Sequence, residues 1–283
     1  MTILKTIGQT RLIRLQHMVP EGSARVLVKL EYENPTGSMK DRMALAMIEA
    51  AEADGRLAPD GSVVEYTGGS TGVSLAFVCA AKRIPLQIVT SGVFSKEKLD
   101  HMRALGAGLT LVHSASGGTT KALTLEMIET ARELAAAPGF FLTDQLNNTD
   151  PLSSYERMGS EIWNQADAPV DAFVQSVGTC GSLRGIASQL RVHNDQVHIV
   201  AVEPEESAVL SGKPSGSHRI EGPSSTNGAS AGIEQVSSEE RESHHPRGWV
   251  EGRAGWPNLP GASTNLGVRT RSRRRTAVRA RHH

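Results

Sequence analysis

Residues 62–77, SVVEYTGGSTGVSLAF, read as a strand, a glycine-rich loop and the start of a helix in one short stretch. Residues 62–67 are β-branched and aromatic and nearly continuous in apolar character, as a strand buried on both faces should be. Thr67, Gly68, Gly69, Ser70, Thr71 and Gly72 then lead straight into a helical pattern over roughly 71–83. Glycines let the backbone approach a ligand closely, and a helix N-terminus offers N–H groups to an anion. A carboxylate or a phosphate suits such a loop. An ordinary strand-to-helix turn is the plain alternative.

Outward from this stretch the same alternation repeats. Strand-like runs fall at 86–91, 109–113, 140–145, 171–178 and 198–205, with helical patterns at roughly 95–105, 118–136, 152–165 and 183–192. Alternation of this kind predicts an α/β fold with right-handed crossovers and a parallel sheet. Ligands of open α/β sheets bind beyond the carboxyl ends of the strands, so the informative residues should follow strands. No internal repeat is visible.

A second loop, Gly178-Thr179-Cys180-Gly181-Ser182, follows the run at 171–178 and opens the helix near Leu183. Its glycines, hydroxyls and helix N-terminus describe a phosphate cradle. The Gly-Lys-Ser/Thr ending of a P-loop is absent, and the glycine spacing is not that of the dinucleotide fingerprint. Cys180 reads as a small packing residue in a glycine loop, with a reactive thiol as the alternative.

A third stretch, ENPTGSMKDR at 33–42, runs from a tight turn into a helix whose Met43, Ala46, Met47 and Ala50 recur at helical spacing. Ser38 is the expected N-cap. Lys40 then lies in the first turn, where the partial positive charge of the helix end disfavours its ammonium form. A neutral amine there is a nucleophile for an aldehyde, forming a Schiff base. The alternative is a solvated lysine beside Asp41 or Glu33.

A length of 283 residues suggests roughly two domains. A formal net charge of +0 excludes a bulk polyelectrolyte role, and two cysteines, Cys79 and Cys180, give no disulfide framework and fit a reducing cytosol. The opening MTILKTIGQTRLIRL holds no long apolar run, so neither a signal peptide nor a membrane span is expected. Charge is uneven, however. Residues 223–283 hold ten arginines, no lysine and five acidic residues, and are poor in apolar side chains. Such a segment cannot build a core of its own. Its arginine run at 269–281 is suited to nucleic-acid phosphates, yet no interleaved aromatic or recognisable module accompanies it.

A lysine for an aldehyde, one loop for a carboxylate and another for a phosphate together describe a pyridoxal phosphate site. The chain resembles the cysteine synthase and cystathionine β-synthase family of pyridoxal phosphate enzymes, fold type II. NPTGSMKDR is similar to that family's Schiff-base lysine motif, TGGSTG to its substrate loop T-S-G-N-T-G, GTCGS to its phosphate loop G-T-G-G-T, and DQLNN to its DQFNN segment. IGQTRLIRL resembles the family's usual opening, and SGKPSGSHRIEG its glycine-rich stretch beside the active site. The likeness covers about residues 5–222.

The resemblance implies two three-layer α/β/α domains with mainly parallel sheets, like the tryptophan synthase β chain. A larger cofactor domain would comprise 1–38 and 150–222, and a smaller mobile substrate domain 39–149. It implies Lys40 as catalytic and cofactor-bonded, with Ser70 and Gly178 to Ser182 as further cofactor contacts. Thr67, Gly68, Gly69, Ser70, Thr71 and Gln145 would contact the substrate. Ser263, with Thr264 beside it, is a faint echo of the family's hydroxyl partner for the pyridine nitrogen. The implied reaction is β-replacement on O-acetylserine or a similar activated serine by sulfide or a thiol, giving L-cysteine, in a cytoplasmic homodimer. Deamination of serine or threonine, and a pseudoenzyme or relic, are the alternatives. Ser70 departs from the loop asparagine that touches the cofactor's 3′ oxygen. Everything after Gly222 departs more widely, and a shifted reading frame near residue 222 is the working hypothesis, which sequencing across the junction tests.

Overall fold

The computed structural model describes residues 2–214, residue 216 and the strand at 266–270. Ser263 and Thr264 lie outside the described residues. In chain order the elements are β1 (Leu12–Arg14), β2 (Arg25–Lys29), α1 (Lys40–Asp54), β3 (Ser62–Tyr66), α2 (Ser70–Lys82), β4 (Leu86–Thr90), α3 (Lys96–Ala104), β5 (Gly108–Leu111), α4 (Lys121–Ala135), β6 (Phe140–Leu142), α5 (Pro151–Gln165), β7 (Ala172–Ser176), α6 (Gly181–His193), β8 (His198–Val202) and β9 (Leu266–Thr270). They form two compact units: Met1–Gln9 with Tyr32–Ser154, and Thr10–Glu31 with the chain from Tyr155 onward.

The first unit is built on a four-stranded sheet, order β5-β4-β3-β6, in which every pair is parallel. The strand–helix alternation of the sequence dictates this, since parallel neighbours need a crossover helix. Strand residues alternate between faces. Val64 and Tyr66 therefore share one face with Val89 and Val112, under α4 residues Leu123, Met127 and Ala131. Those three recur at helical spacing and are the buried side of α4. Each buried Leu or Met contributes about 1.5–3 kcal/mol. Helix α2 is buried along most of its length, from Thr71 to Cys79, which small residues such as Gly72, Ser74, Ala76 and Cys79 permit.

The second unit has a five-stranded sheet, order β1-β2-β9-β7-β8. Only β7 and β8 are parallel, joined through α6; the β1–β2, β2–β9 and β9–β7 pairs are antiparallel. The mainly parallel expectation thus describes the first sheet, and the second is mixed. Lys29 on β2 is fully buried and salt-bridged to Glu161 of α5 at 2.8 Å. Its ammonium also donates to Thr10 O (2.6 Å) and Gln165 Oε1 (2.8 Å). Such a charge is tolerated inside because its three protons are spoken for. Trp163 of α5 stacks on His193 of α6, with centroids 4.8 Å apart.

Among the described residues no helix is long and apolar enough to cross a membrane. The six strand-like runs between 62 and 205 all form strands. Strands β1 and β2 were not foreseen: LIR and RVLVK are short and end in charged residues, which obscures their period. Nor was β9, which pairs through its backbone with β2 and β7.

Candidate active site

Lys40 is the first residue of α1 and half-buried. Its position is set by the turn before it. Gly37 N–H donates to Asn34 O at 2.8 Å, and Gly37 has φ +77, a left-handed conformation that favours glycine. The buried Asn34 side chain accepts from Gly8 N–H at 2.9 Å. Asp41, fully buried, accepts from Thr36 N–H (2.8 Å) and Thr36 Oγ1 (2.5 Å). The carboxylate after the lysine therefore clamps the turn onto the helix, and sits at the helix end where negative charge is favoured. Thr36 Oγ1 also lies 3.3 Å from Ser74 Oγ, tying this turn to α2. Ser38 Oγ does take a backbone N–H, that of Lys40 at 3.2 Å. The capping position itself is Met39, already helical, so the expected Ser38 cap is displaced by one residue. The reason is that the Ser38 and Met39 carbonyls already accept from Asp41 and Arg42 in a tight first turn.

The glycine loop between β3 and α2 is packed against its neighbours. A Cβ at Gly68 would lie 2.2 Å from the Phe94 ring, and one at Gly72 would lie 2.6 Å from Met102 Sδ and 2.7 Å from Thr67 Cγ2. Close approach is what requires glycine at both. Thr67 Oγ1 accepts from Gly69 N–H at 3.2 Å, shaping the turn. Gly69 is the N-cap position of α2, Ser70 its first residue, and no side chain caps the helix. Thr71, buried, donates through Oγ1 to Gln145 Oε1 at 2.7 Å. Gln145 Nε2 donates to Tyr66 O at 3.2 Å. The structure thus joins the loop with Gln145, two separately expected parts of a carboxylate site.

Beneath them lies a residue that the sequence reading passed over. Glu65 on β3 is fully buried, and burial pushes its carboxyl up to about 8 against the opposing pull of its hydrogen bonds. Its Oε1 accepts from Tyr66 N–H (2.9 Å), and its Oε2 from Thr143 Oγ1 (2.7 Å) and Gln145 N–H (3.1 Å). Tyr66 OH donates to Asp144 Oδ1 at 2.9 Å. The available signal was a lone acid inside an apolar strand, which must have partners there. Asp41 and Phe94 were also missed in their roles here.

In the second unit, Gly178 to Ser182 bridge β7 and α6. Cys180 is the N-cap position, with φ +63, and its side chain makes no capping bond. Its Sγ is buried and lies 3.8 Å from Gly178 O. The family motif G-T-G-G-T carries glycine at this place, which the left-handed backbone explains. Ser182 Oγ accepts from Gln175 Nε2 at 2.5 Å. A Cβ at Gly181 would meet Thr179 Oγ1 and Tyr155 Cε2 at 3.8 Å, which is ordinary contact, so packing alone does not demand glycine there. An uncapped helix N-terminus preceded by small residues fits a phosphate. A half-buried lysine at a helix start fits an aldehyde.

The model of a family described as pyridoxal-phosphate dependent enzymes matches residues 3–245. The chain is 39% identical over 222 residues to a cysteine synthase of Staphylococcus aureus, covering 78% of this chain and 70% of that protein. It is 38% identical over 213 residues to cysteine synthase B of Escherichia coli, covering 75% and 68%. Among solved structures it is similar to O-acetyl serine sulfhydrylase isoform 3 from Entamoeba histolytica, with a TM-score of 0.71, 37% identity, and coverage of 78% of this chain and 66% of that one. This chain thus spans about two thirds of the length of these relatives.

Proposed function

This chain belongs to the pyridoxal-phosphate dependent enzyme family, and from that premise we propose that it catalyses β-replacement on O-acetylserine or a similar activated serine, with sulfide or a thiol, to give L-cysteine. The relatives' names support the reading, as they include cysteine synthases and an O-acetyl serine sulfhydrylase. When bound, pyridoxal phosphate supplies the aldehyde for an amino group and a ring that draws electrons from the substrate's α-carbon.

The rest falls to this chain's residues. Lys40 is the residue that would hold the aldehyde, and as a neutral amine it would take the substrate's α-proton. Gly178 to Ser182 offer N–H groups and hydroxyls to the phosphate, while Ser70 takes the place of the family's cofactor-touching asparagine. Thr67 to Thr71 with Gln145 hold the substrate carboxylate. Acetate would leave the β-carbon with the bonding electron pair, a thiolate sulfur whose proton has gone to solvent would add there, and Lys40 would return its proton to the α-carbon. Ser263 is assigned to the pyridine nitrogen by the family pattern alone. The same proposal includes the larger cofactor domain (1–38 with 150–222), the smaller mobile substrate domain (39–149), the atypical tail, a homodimer and a cytoplasmic location.

The carrying observation is the 2.7 Å bond from Thr71 to Gln145, which unites two motifs distant in sequence at the carboxyl end of the first unit's sheet. The test is cysteine production by the purified, cofactor-loaded chain from O-acetylserine and sulfide, with Lys40→Ala as control. Cysteine formed by the wild type alone supports the proposal. Cofactor bound without turnover of any activated serine would overturn it in favour of a relic, and pyruvate without sulfide consumption in favour of deamination.

A further inference from the structure

We propose that Glu65 is a positioning residue for substrate carboxylate binding: it fixes the backbone of Gln145, whose side chain in turn fixes Thr71. The inference rests on the reading of Thr71 and Gln145 as carboxylate contacts. Its own ground is the hydrogen-bond geometry within the first unit.

Parallel pairing of β3 with β6 sets Val64 beside Leu142, so the next residues, Glu65 and Thr143, fall on the same face. Glu65 Oε2 takes both the Thr143 hydroxyl and the Gln145 N–H, and so grips the chain on either side of Asp144 as it leaves β6. Its Oε1 takes the N–H of Tyr66, just before the glycine loop. Gln145 closes the circuit, donating to Tyr66 O and accepting from Thr71. One carboxyl group thus joins both chain segments that carry the carboxylate contacts, with its side chain shut away from any ligand.

The group is chemically demanding in this role. Both Tyr66 N–H and Gln145 N–H need an acceptor, and a carboxylate offers one oxygen to each. An amide cannot, because whichever way it turns, its NH2 faces one of those N–H donors. Thr143 Oγ1 lies 2.7 Å from Glu65 Oε2 and 3.2 Å from Val64 O, and its single proton serves one of them at a time. When Glu65 is protonated, its own O–H can turn to Thr143, which then donates to Val64 O and leaves the backbone contacts in place. Asp144 is the titratable neighbour that disfavours charge on Glu65, and Glu65 in turn acts on the Tyr66 hydroxyl that donates to Asp144. Glutamate therefore tolerates both protonation states where glutamine tolerates neither orientation.

The test compares the cofactor-loaded wild type with Glu65→Gln and Thr143→Val, using calorimetric titration of L-serine, steady-state kinetics and separate titration of pyridoxal phosphate. Glu65→Gln is expected to weaken L-serine binding and raise KM about ten-fold or more, as for a buried N–H donor left without an acceptor. Its kcat should stay within about three-fold, and its cofactor affinity should match the wild type. Thr143→Val keeps the carboxylate and both backbone contacts, so its L-serine affinity should fall by about three-fold at most; this variant decides the matter if Glu65→Gln does not fold. Glu65→Gln binding L-serine as the wild type does, or losing cofactor affinity and kcat in parallel with KM, overturns the proposal, as does a ten-fold loss in Thr143→Val. Failure of the wild type itself to bind L-serine would instead defeat the underlying functional reading.

Discussion

Replacing Gly68 with alanine probes how the glycine loop is built. A Cβ at that position falls 2.2, 2.3 and 2.5 Å from three atoms of the Phe94 ring, against about 3.5–4.0 Å for ordinary carbon contact. The ring must therefore move by more than about 1 Å. Phe94 is half-buried and packs against the cluster formed by Val64, Tyr66, Val89 and α4. If it swings outward it forfeits part of the roughly 1.5–3 kcal/mol that burying such a side chain contributes. If it stays, overpacking costs about 1–3 kcal/mol. Either route predicts that Gly68→Ala destabilises the first unit by about 1–2 kcal/mol. In a Phe94→Ala background the obstacle is gone and the same change should be nearly neutral, giving a coupling of about 1–2 kcal/mol. Urea unfolding followed by far-UV circular dichroism, on the wild type, both single variants and the double, measures it. An unchanged midpoint for Gly68→Ala, or a penalty that persists without Phe94, refutes the reasoning. The family loop T-S-G-N-T-G has serine here, so restoring that serine should likewise require a smaller residue at 94.

The remaining predictions concern buried charge and backbone strain. Because the folded-state pKa of Glu65 is raised from 4.5 to about 8, the folded chain holds a proton that the unfolded chain releases between those values. Wild-type stability should therefore fall, relative to Glu65→Gln, as pH rises from about 4.5 to about 8, and level off above; denaturant midpoints across that range that run parallel would contradict this. Lys29→Met should cost about 3–5 kcal/mol by stripping Glu161 of its buried cation, and the double change Lys29→Met/Glu161→Leu should recover most of it, as thermal melts would show. Cys180→Gly should stay within about 1 kcal/mol of wild type, since relief of the left-handed backbone offsets glycine's entropy. Cys180→Val, branched at Cβ in that same conformation, should lose about 1–3 kcal/mol, so equal midpoints for the two would count against the strain.

What could be read in the sequence was whatever local pattern dictates. Runs such as SVVEYT and LQIVTS are strands because nothing else buries both faces of so short an apolar stretch. The three loops were legible because glycine, serine and threonine gather where a strand ends and a helix begins. Long-range pairing was not. Whether RVLVK joins LIR as a hairpin, and whether LGVRT lies between β2 and β7, depends on partners far away in the chain. Asp41 looks like a surface acid until Thr36 is brought beside it, and Glu65, an acid within an apolar strand, has partners, Thr143 and Gln145, that only the fold identifies. Gly68 looked like ordinary loop glycine until Phe94 was seen against it.

The proposed chemistry turns on the amine of Lys40 bonding to the cofactor. Borohydride reduction of the chain loaded with pyridoxal phosphate, followed by proteolysis and mass spectrometry, tests it directly. A pyridoxyl group is expected on the peptide containing Lys40 and none on Lys40→Ala. A pyridoxyl group confined to another lysine, or absent altogether from a chain that binds the cofactor, would contradict it.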